Sequence, residues 1–391
     1  MVSLSAILAF RLDRRAACWL DSIKITRLYL NHFAKAMVMF SIPFLFSTIS
    51  LAFADKTGPQ VTDIDRIRDT LECRLFTFSP YVQRHYALRM YRITGDDKYL
   101  NPIITDMMVL AQLLRQDIEG LGDEDYIRAR TQLILERFDL NKPKQQRRYE
   151  LLSRSGHLAF DLALLANLNM LHEVNLLDTA FFPDTSKALA YLRERDFADF
   201  FLADDVVRIY SPQLATYVFF LYDLGIADLR KPFIAAFRRV FPDHRDAELS
   251  SMLYTQKLYG LTHIIIGASR NYQKIVDKDT YDWIYEYFSN NVGTITARAT
   301  EDIIAEVGIA FLLSESREAP ALKKIQHRIA SAVDDELGII PPPTGSADLE
   351  SCEHRNVLAV MLFSWPDQLH SGPDLRNSPV YQRFWLRNCL P

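Results

Sequence analysis

The chain has 391 residues, 49% hydrophobic and 24% charged, the balance of an ordinary globular protein, which excludes a disordered, collagenous or disulfide-dense scaffold. Its net charge is −4, but the first 54 residues hold six Lys/Arg against two Asp/Glu, so the other 337 carry 39 basic and 47 acidic groups, a net −8. Such a body repels a phosphate backbone, and no Lys/Arg stripe with interleaved aromatics offsets it, so nucleic acid is not an expected partner.

From Lys35 the chain reads Ala36-Met37-Val38-Met39-Phe40-Ser41-Ile42-Pro43-Phe44-Leu45-Phe46, stays apolar to Leu51, and ends Ala52-Phe53-Ala54 before Asp55. A basic flank, a short apolar run and a small-x-small site describe a secretory signal peptide, here with a long n-region carrying Arg11, Arg14, Arg15, Lys24 and Arg27. At about 17 residues with an internal proline, the run is short for a membrane span. The expectation is a leader over 1–54, one domain over 55–391, and a periplasmic or secreted bacterial protein that touches a membrane only if the leader is retained as an anchor. Of the cysteines, Cys18 falls in the leader, and Cys73, Cys352 and Cys389 allow at most one disulfide. A Cys352–Cys389 bridge and buried thiols both remain open.

The body reads as a succession of helices, because apolar residues recur at three- and four-residue spacing and period-2 runs are scarce. Two kinds alternate. Amphipathic segments are expected over 98–114, 187–197, 281–290 and 322–333. Segments apolar on most sides are expected over 79–88, 155–162, 211–218, 259–267, 299–308 and 352–360, with long loops in the early repeats. Ser79-Pro80 and Ser211-Pro212 read as N-caps followed by proline at the first helical position. A helix apolar on most sides must sit inside, with an amphipathic partner covering it.

Six such pairs close naturally into a ring, and the chain resembles the (α/α)6 toroid proteins, which include six-hairpin glycosidases, polysaccharide lyases and uronate epimerases. The phrase from Tyr86 through Thr94-Gly95-Asp96-Asp97-Lys98-Tyr99-Leu100 is similar to their hairpin junction, where an inner helix ends at Thr-Gly-Asp and an outer one begins at Lys-Tyr-Leu. Residues 261–272, 301–313 and 353–365 are similar to an uncharacterised family of exported bacterial proteins. The toroid resemblance implies that the N-terminal ends of the inner helices gather around one funnel. His85, His157, Gln213, Thr262, His263, Glu301, Asp302, Glu353, His354 and Arg355 would then lie near it.

Local catalytic motifs are absent: no Gly-x-Ser-x-Gly elbow, Walker loop, Gly-x-Gly-x-x-Gly or His-Glu-x-x-His. A site must therefore be assembled from distant helices. The expected catalytic groups are Glu301, Asp302 and Glu306, the last two sharing a helix face, with His263 and His354 from neighbouring hairpins. Two carboxyl groups held close push their pKa values apart and supply an acid and a base from one residue type. His85, His157, Gln213, Tyr259, Glu353 and Arg355 are the expected substrate-binding residues, with Arg355 able to fork onto a substrate carboxylate. Each also has a plain structural role open to it: Glu301 at a helix N-terminus, His263 in the core, His157 bonded to Asp161, and Arg355 paired with a neighbouring acid. No cofactor or metal is expected, because no two ligands show a short metal-binding spacing. Arg270-Asn271-Tyr272 reads as a helix C-cap, and the loop 341–346 as either a lid or a connector. Two functional classes remain: an exported carbohydrate-active hydrolase, lyase or epimerase, or a non-catalytic exported binding or scaffold protein on the same ring.

Overall fold

The structure is a computed structural model describing residues 61–177, 182–343, 345 and 348–385. The expected leader and Cys389 lie outside these residues. Fifteen α-helices follow one another among the described residues: α1 Val61–Arg74, α2 Pro80–Thr94, α3 Leu100–Glu119, α4 Glu124–Leu135, α5 Pro143–Ser153, α6 Leu158–Glu173, α7 Thr185–Arg193, α8 Phe197–Phe201, α9 Asp204–Asp223, α10 Arg230–Val240, α11 Ser251–Ala268, α12 Asp282–Arg298, α13 Glu301–Leu313, α14 Pro320–Ala330 and α15 Leu349–Phe363. Among the same residues no strand occurs; Asp334 and Ile339 form an isolated bridge.

The junction phrase is a turn between α2 and α3. Ser79 is extended and Pro80 occupies the first turn of α2, where its missing N–H removes a donor that would have no helical partner. Gly95 stops the helix with φ 66°, its N–H bonding Tyr91 O; a Cβ there would be strained and would meet the His370 ring at 2.7 Å. Asp96 then accepts the Lys98 N–H and starts the next helical segment.

Three expectations need correction. Ser211 and Pro212 do not open a helix: α9 begins at Asp204, where Asp204 and Asp205 complement the positive helix end, and Pro212 sits inside it. The carbonyl of Ile209, one turn before this proline, accepts from the Arg148 side chain as well. Helix α11 begins at Ser250-Ser251, so Tyr259 and His263 lie mid-helix. The early segments expected as long loops contain α4, α5 and α8.

Helices α2, α6, α9, α11, α13 and α15 show no exposed residue along their central turns, whereas α3, α7, α10, α12 and α14 each keep an exposed face. Packing contacts run from α2 to α3, then to α6, α9, α11, α13 and α15, and α15 packs back against α1 and α2. At the C-terminal ends, Arg92 of α2 meets Glu173 of α6 at 3.4 Å. Seating of the Phe237 ring of α10 on α11 relies on Gly260, where a Cβ would lie 2.3 Å from that buried ring. Gly260→Ala is therefore expected to cost ~1–3 kcal/mol through overpacking, read as a lower urea midpoint. An unchanged midpoint would show that the Phe237 ring yields freely.

Candidate functional site

Four helices bring a polar cluster together inside this apolar packing. Helix α13 is buried from Asp302 to Leu313, yet carries Asp302 and Glu306 one turn apart. Glu306 accepts from the Thr262 hydroxyl of α11 at 2.7 Å and lies 3.6 Å from His354 Nε2 of α15. Asp302 accepts from the Tyr259 hydroxyl, and its other oxygen is buried with no hydrogen-bond partner. His354 stands over His85 of α2 with ring centroids 5.1 Å apart, and Glu353 Oε2 lies 2.7 Å from His85 Nδ1. That approach is out of line for a full hydrogen bond, and Glu353 Oε1 also lacks a partner, so this carboxyl keeps capacity for an incoming group. On the α11 side, His263 Nδ1 is 2.9 Å from the Thr216 hydroxyl of α9.

The half-buried positions on these helices include Tyr81, His85 and Arg89 on α2, Gln213, Thr216 and Tyr217 on α9, and Tyr259 and His263 on α11. His354 keeps 38% of its side chain exposed, so the cluster is not sealed from solvent.

Desolvation sets the charge state. Burial pushes the Glu353 carboxyl up to about 8, with Arg89 only partly opposing it, so this acid is mostly protonated at neutral pH. Burial acts on Glu306 too, but His354, His263 and the Thr262 hydroxyl outweigh it and hold the carboxyl below its usual range. Burial lowers His85 well below the ordinary histidine value, with Arg89 and His354 adding to the effect. Burial also lowers His263, against the pull of Glu306. At neutral pH the cluster thus presents a protonated carboxyl, an ionised carboxylate and two uncharged imidazoles, a donor and an acceptor in one place.

Not every expected residue joins it. Glu301 pairs with Arg328 of α14 at 2.7 Å, and Arg355 Nη1 lies 3.5 Å from Glu301 and donates to the Pro341 carbonyl at 3.1 Å. His157 pairs with Glu124 of α4 at 2.7 Å rather than with Asp161, which accepts from Tyr191. Gln213 accepts from Arg148 at 2.8 Å. Sequence reading missed Arg89, whose Nη1 donates to the His85 carbonyl, whose Nε is buried with no partner, and which has no carboxylate at ion-pair distance among the described residues. The i, i+4, i+8 series Tyr81, His85, Arg89 was a readable signal for it. Thr216 was missed as well. Among the described residues no three His, Cys, Asp or Glu side chains are grouped to hold a metal ion, and no helix is long and apolar enough to cross a membrane.

An all-helical protein with buried carboxyl and imidazole groups converging from separate helices is the class this geometry defines. Over residues 60–385 the chain matches the family described as a domain of unknown function (DUF3541), and it belongs to that family. No curated protein and no solved structure matches it.

Because folded Glu353 holds a proton that the unfolded chain releases, the wild type loses stability relative to Glu353→Gln as pH rises from about 4.5 to about 8. Urea unfolding of both proteins across that window reads the effect. Parallel stability profiles would mean that Glu353 ionises normally in the fold.

Proposed function

We propose that this chain is an exported enzyme acting on acidic carbohydrates, built as an (α/α)6 toroid whose funnel holds Glu306 and Glu353. The sequence of the leader supports export. The toroid reading is supported by six helices without an exposed face and by packing contacts that return from α15 to α2. The observation that carries the activity is the pair of buried carboxyls on α13 and α15 driven to opposite protonation states. Hydrolysis, elimination and epimerisation all need an acid and a base. Arg89, a cation without a carboxylate of its own, favours the uronate reactions, in which a substrate carboxylate must be held and its charge offset.

In elimination, Glu306 removes the proton from the carbon bearing the carboxylate. The freed electron pair forms a carbon–carbon double bond as the bond to the neighbouring glycosidic oxygen breaks. That oxygen takes its proton from Glu353. Epimerisation uses the first step alone, followed by proton return to the opposite face. His354 and Thr262 orient Glu306, while His85 and Arg89 position Glu353 and the bound carboxylate.

The test is a screen of the purified protein on polygalacturonate, alginate and hyaluronan, reading both ultraviolet absorbance of unsaturated ends and release of reducing ends. Glu306→Gln and Glu353→Gln are each expected to lower turnover by about 10²- to 10⁴-fold. His263→Ala should impair it, whereas Glu301→Gln, which alters an ion pair outside the cluster, should not. Full activity in the Glu306, Glu353 and His263 variants would sink the assignment. Reducing ends without the chromophore would turn the reading to hydrolysis, and binding without turnover would turn it to a non-catalytic carbohydrate-binding protein.

A further inference from the structure

A second polar cluster lies one helical turn from the Thr216–His263 contact, and its charged members among the described residues are the cations Lys144 and Arg148. Arg148 of α5 is just 3% exposed, and Lys144 is half-buried one turn before it. Arg148 Nη2 donates to Gln213 Oε1 at 2.8 Å and to the Ile209 carbonyl at 3.3 Å, its guanidinium lies 4.9 Å from the Tyr210 ring centroid, and its Nε is buried with no partner. Lys144 Nζ reaches the side-chain oxygen of Gln256 on α11 at 2.7 Å, with the Gln256 amide donating to the Ile209 carbonyl. All these partners are neutral. Neither cation has a carboxylate at ion-pair distance among the described residues, and the nearby acids Glu150 and Asp205 are engaged by Arg147.

An uncompensated buried guanidinium is costly, and a second cation beside it makes it costlier. Burial, with Arg148 adding to it, pulls the Lys144 ammonium down to about 7, so this pair is held at the edge of losing a proton. Burial also lowers Arg148. An arriving anion would relieve both strains. Gln213 bonds Arg148 and lies one turn from Thr216 on α9, which contacts His263, so the cations adjoin the carboxyl cluster through one face of α9.

We infer that Lys144 and Arg148 form an oxyanion-binding subsite that takes the carboxylate of a sugar unit adjacent to the one held at Glu306 and Glu353. The identity of the ligand rests on the acidic-sugar reading above; the anion site itself does not. It makes the substrate an oligomer with charge on neighbouring units rather than a single acidic sugar.

Isothermal titration calorimetry at pH ~7 with tri-galacturonate, and separately with sodium sulfate, tests this, each run in two buffers of different ionisation enthalpy. The wild type is expected to bind tri-galacturonate with uptake of a fraction of a proton at Lys144. Lys144→Gln, a half-buried change that leaves Arg148 packed, should weaken binding about tenfold and remove that part of the proton uptake. Arg148→Lys keeps the charge, loses the fork and should weaken it to a smaller degree. Sulfate binding that depends on both residues, without tri-galacturonate binding, would uphold the oxyanion site and overturn the acidic-sugar reading. Equal affinity and equal proton uptake in the wild type and Lys144→Gln for both probes would overturn the subsite.

Discussion

A carboxyl group carried on a helix with no solvent face must find a partner or keep its proton. The centre of this molecule is arranged around that constraint. Helix α13 contributes two such groups and α15 a third, and each is resolved differently. Asp302 takes the Tyr259 hydroxyl, Glu306 takes Thr262 and the approach of His354, and Glu353 remains mostly protonated beside an uncharged His85. Apolar surfaces of Leu, Ile and Val tolerate sliding by a turn far better than polar pairs do. The Tyr259–Asp302 and Thr262–Glu306 bonds therefore fix the register of α11 on α13, and the His354–Glu306 contact fixes that of α15.

The cluster also depends on contacts between the two ends of the described chain. Ser79, just before α2, bonds Glu350 of α15 through its hydroxyl at 2.5 Å, and His85, nearly two turns further along α2, meets Glu353, one turn further along α15. Asn356 of α15 holds the Ile340 backbone in both directions, which secures the segment leading into that helix. His85 thus reaches its place only when α15 has packed on α2.

The sequence made parts of this legible for reasons that can be named. Glu306 stood out because Ala305 and Val307 flank it in a wholly apolar stretch, a context in which an acid needs a reason to exist. His263, ahead of three isoleucines, was visible in the same way, whereas Glu353 was marked only by its place near the start of an expected inner helix. Glu301, His157 and Arg355 had equally suggestive positions, but Arg328, Glu124 and the Pro341 carbonyl claim them, and partners on covering helices and loops leave no mark in local spacing. Pro212 misled because proline at a first helical turn is the common case, whereas here a buried mid-helix proline is accommodated within a segment that Asp204 and Asp205 already start. Lys144 and Arg148 were hidden in a Lys-Pro-Lys-Gln-Gln-Arg-Arg sequence that reads as a solvated face.

What the two clusters share is separation of charge. Among the described residues Asp302, Glu306 and Glu353 are buried with no Lys or Arg at ion-pair distance, while Arg89, Lys144 and Arg148 are withdrawn from solvent with no carboxylate at that distance. Elsewhere the same chain pairs buried opposites readily, as Arg84 does with Asp106 at 2.5 Å and Arg130 with Asp117 at 2.8 Å. The fold is therefore capable of neutralising its buried charges and does not do so at these two clusters. A structure optimised only for stability gains nothing from that arrangement. An anionic ligand gains cations already stripped of water and a protonated acid beside an ionised base, which is the economy of a preorganised site.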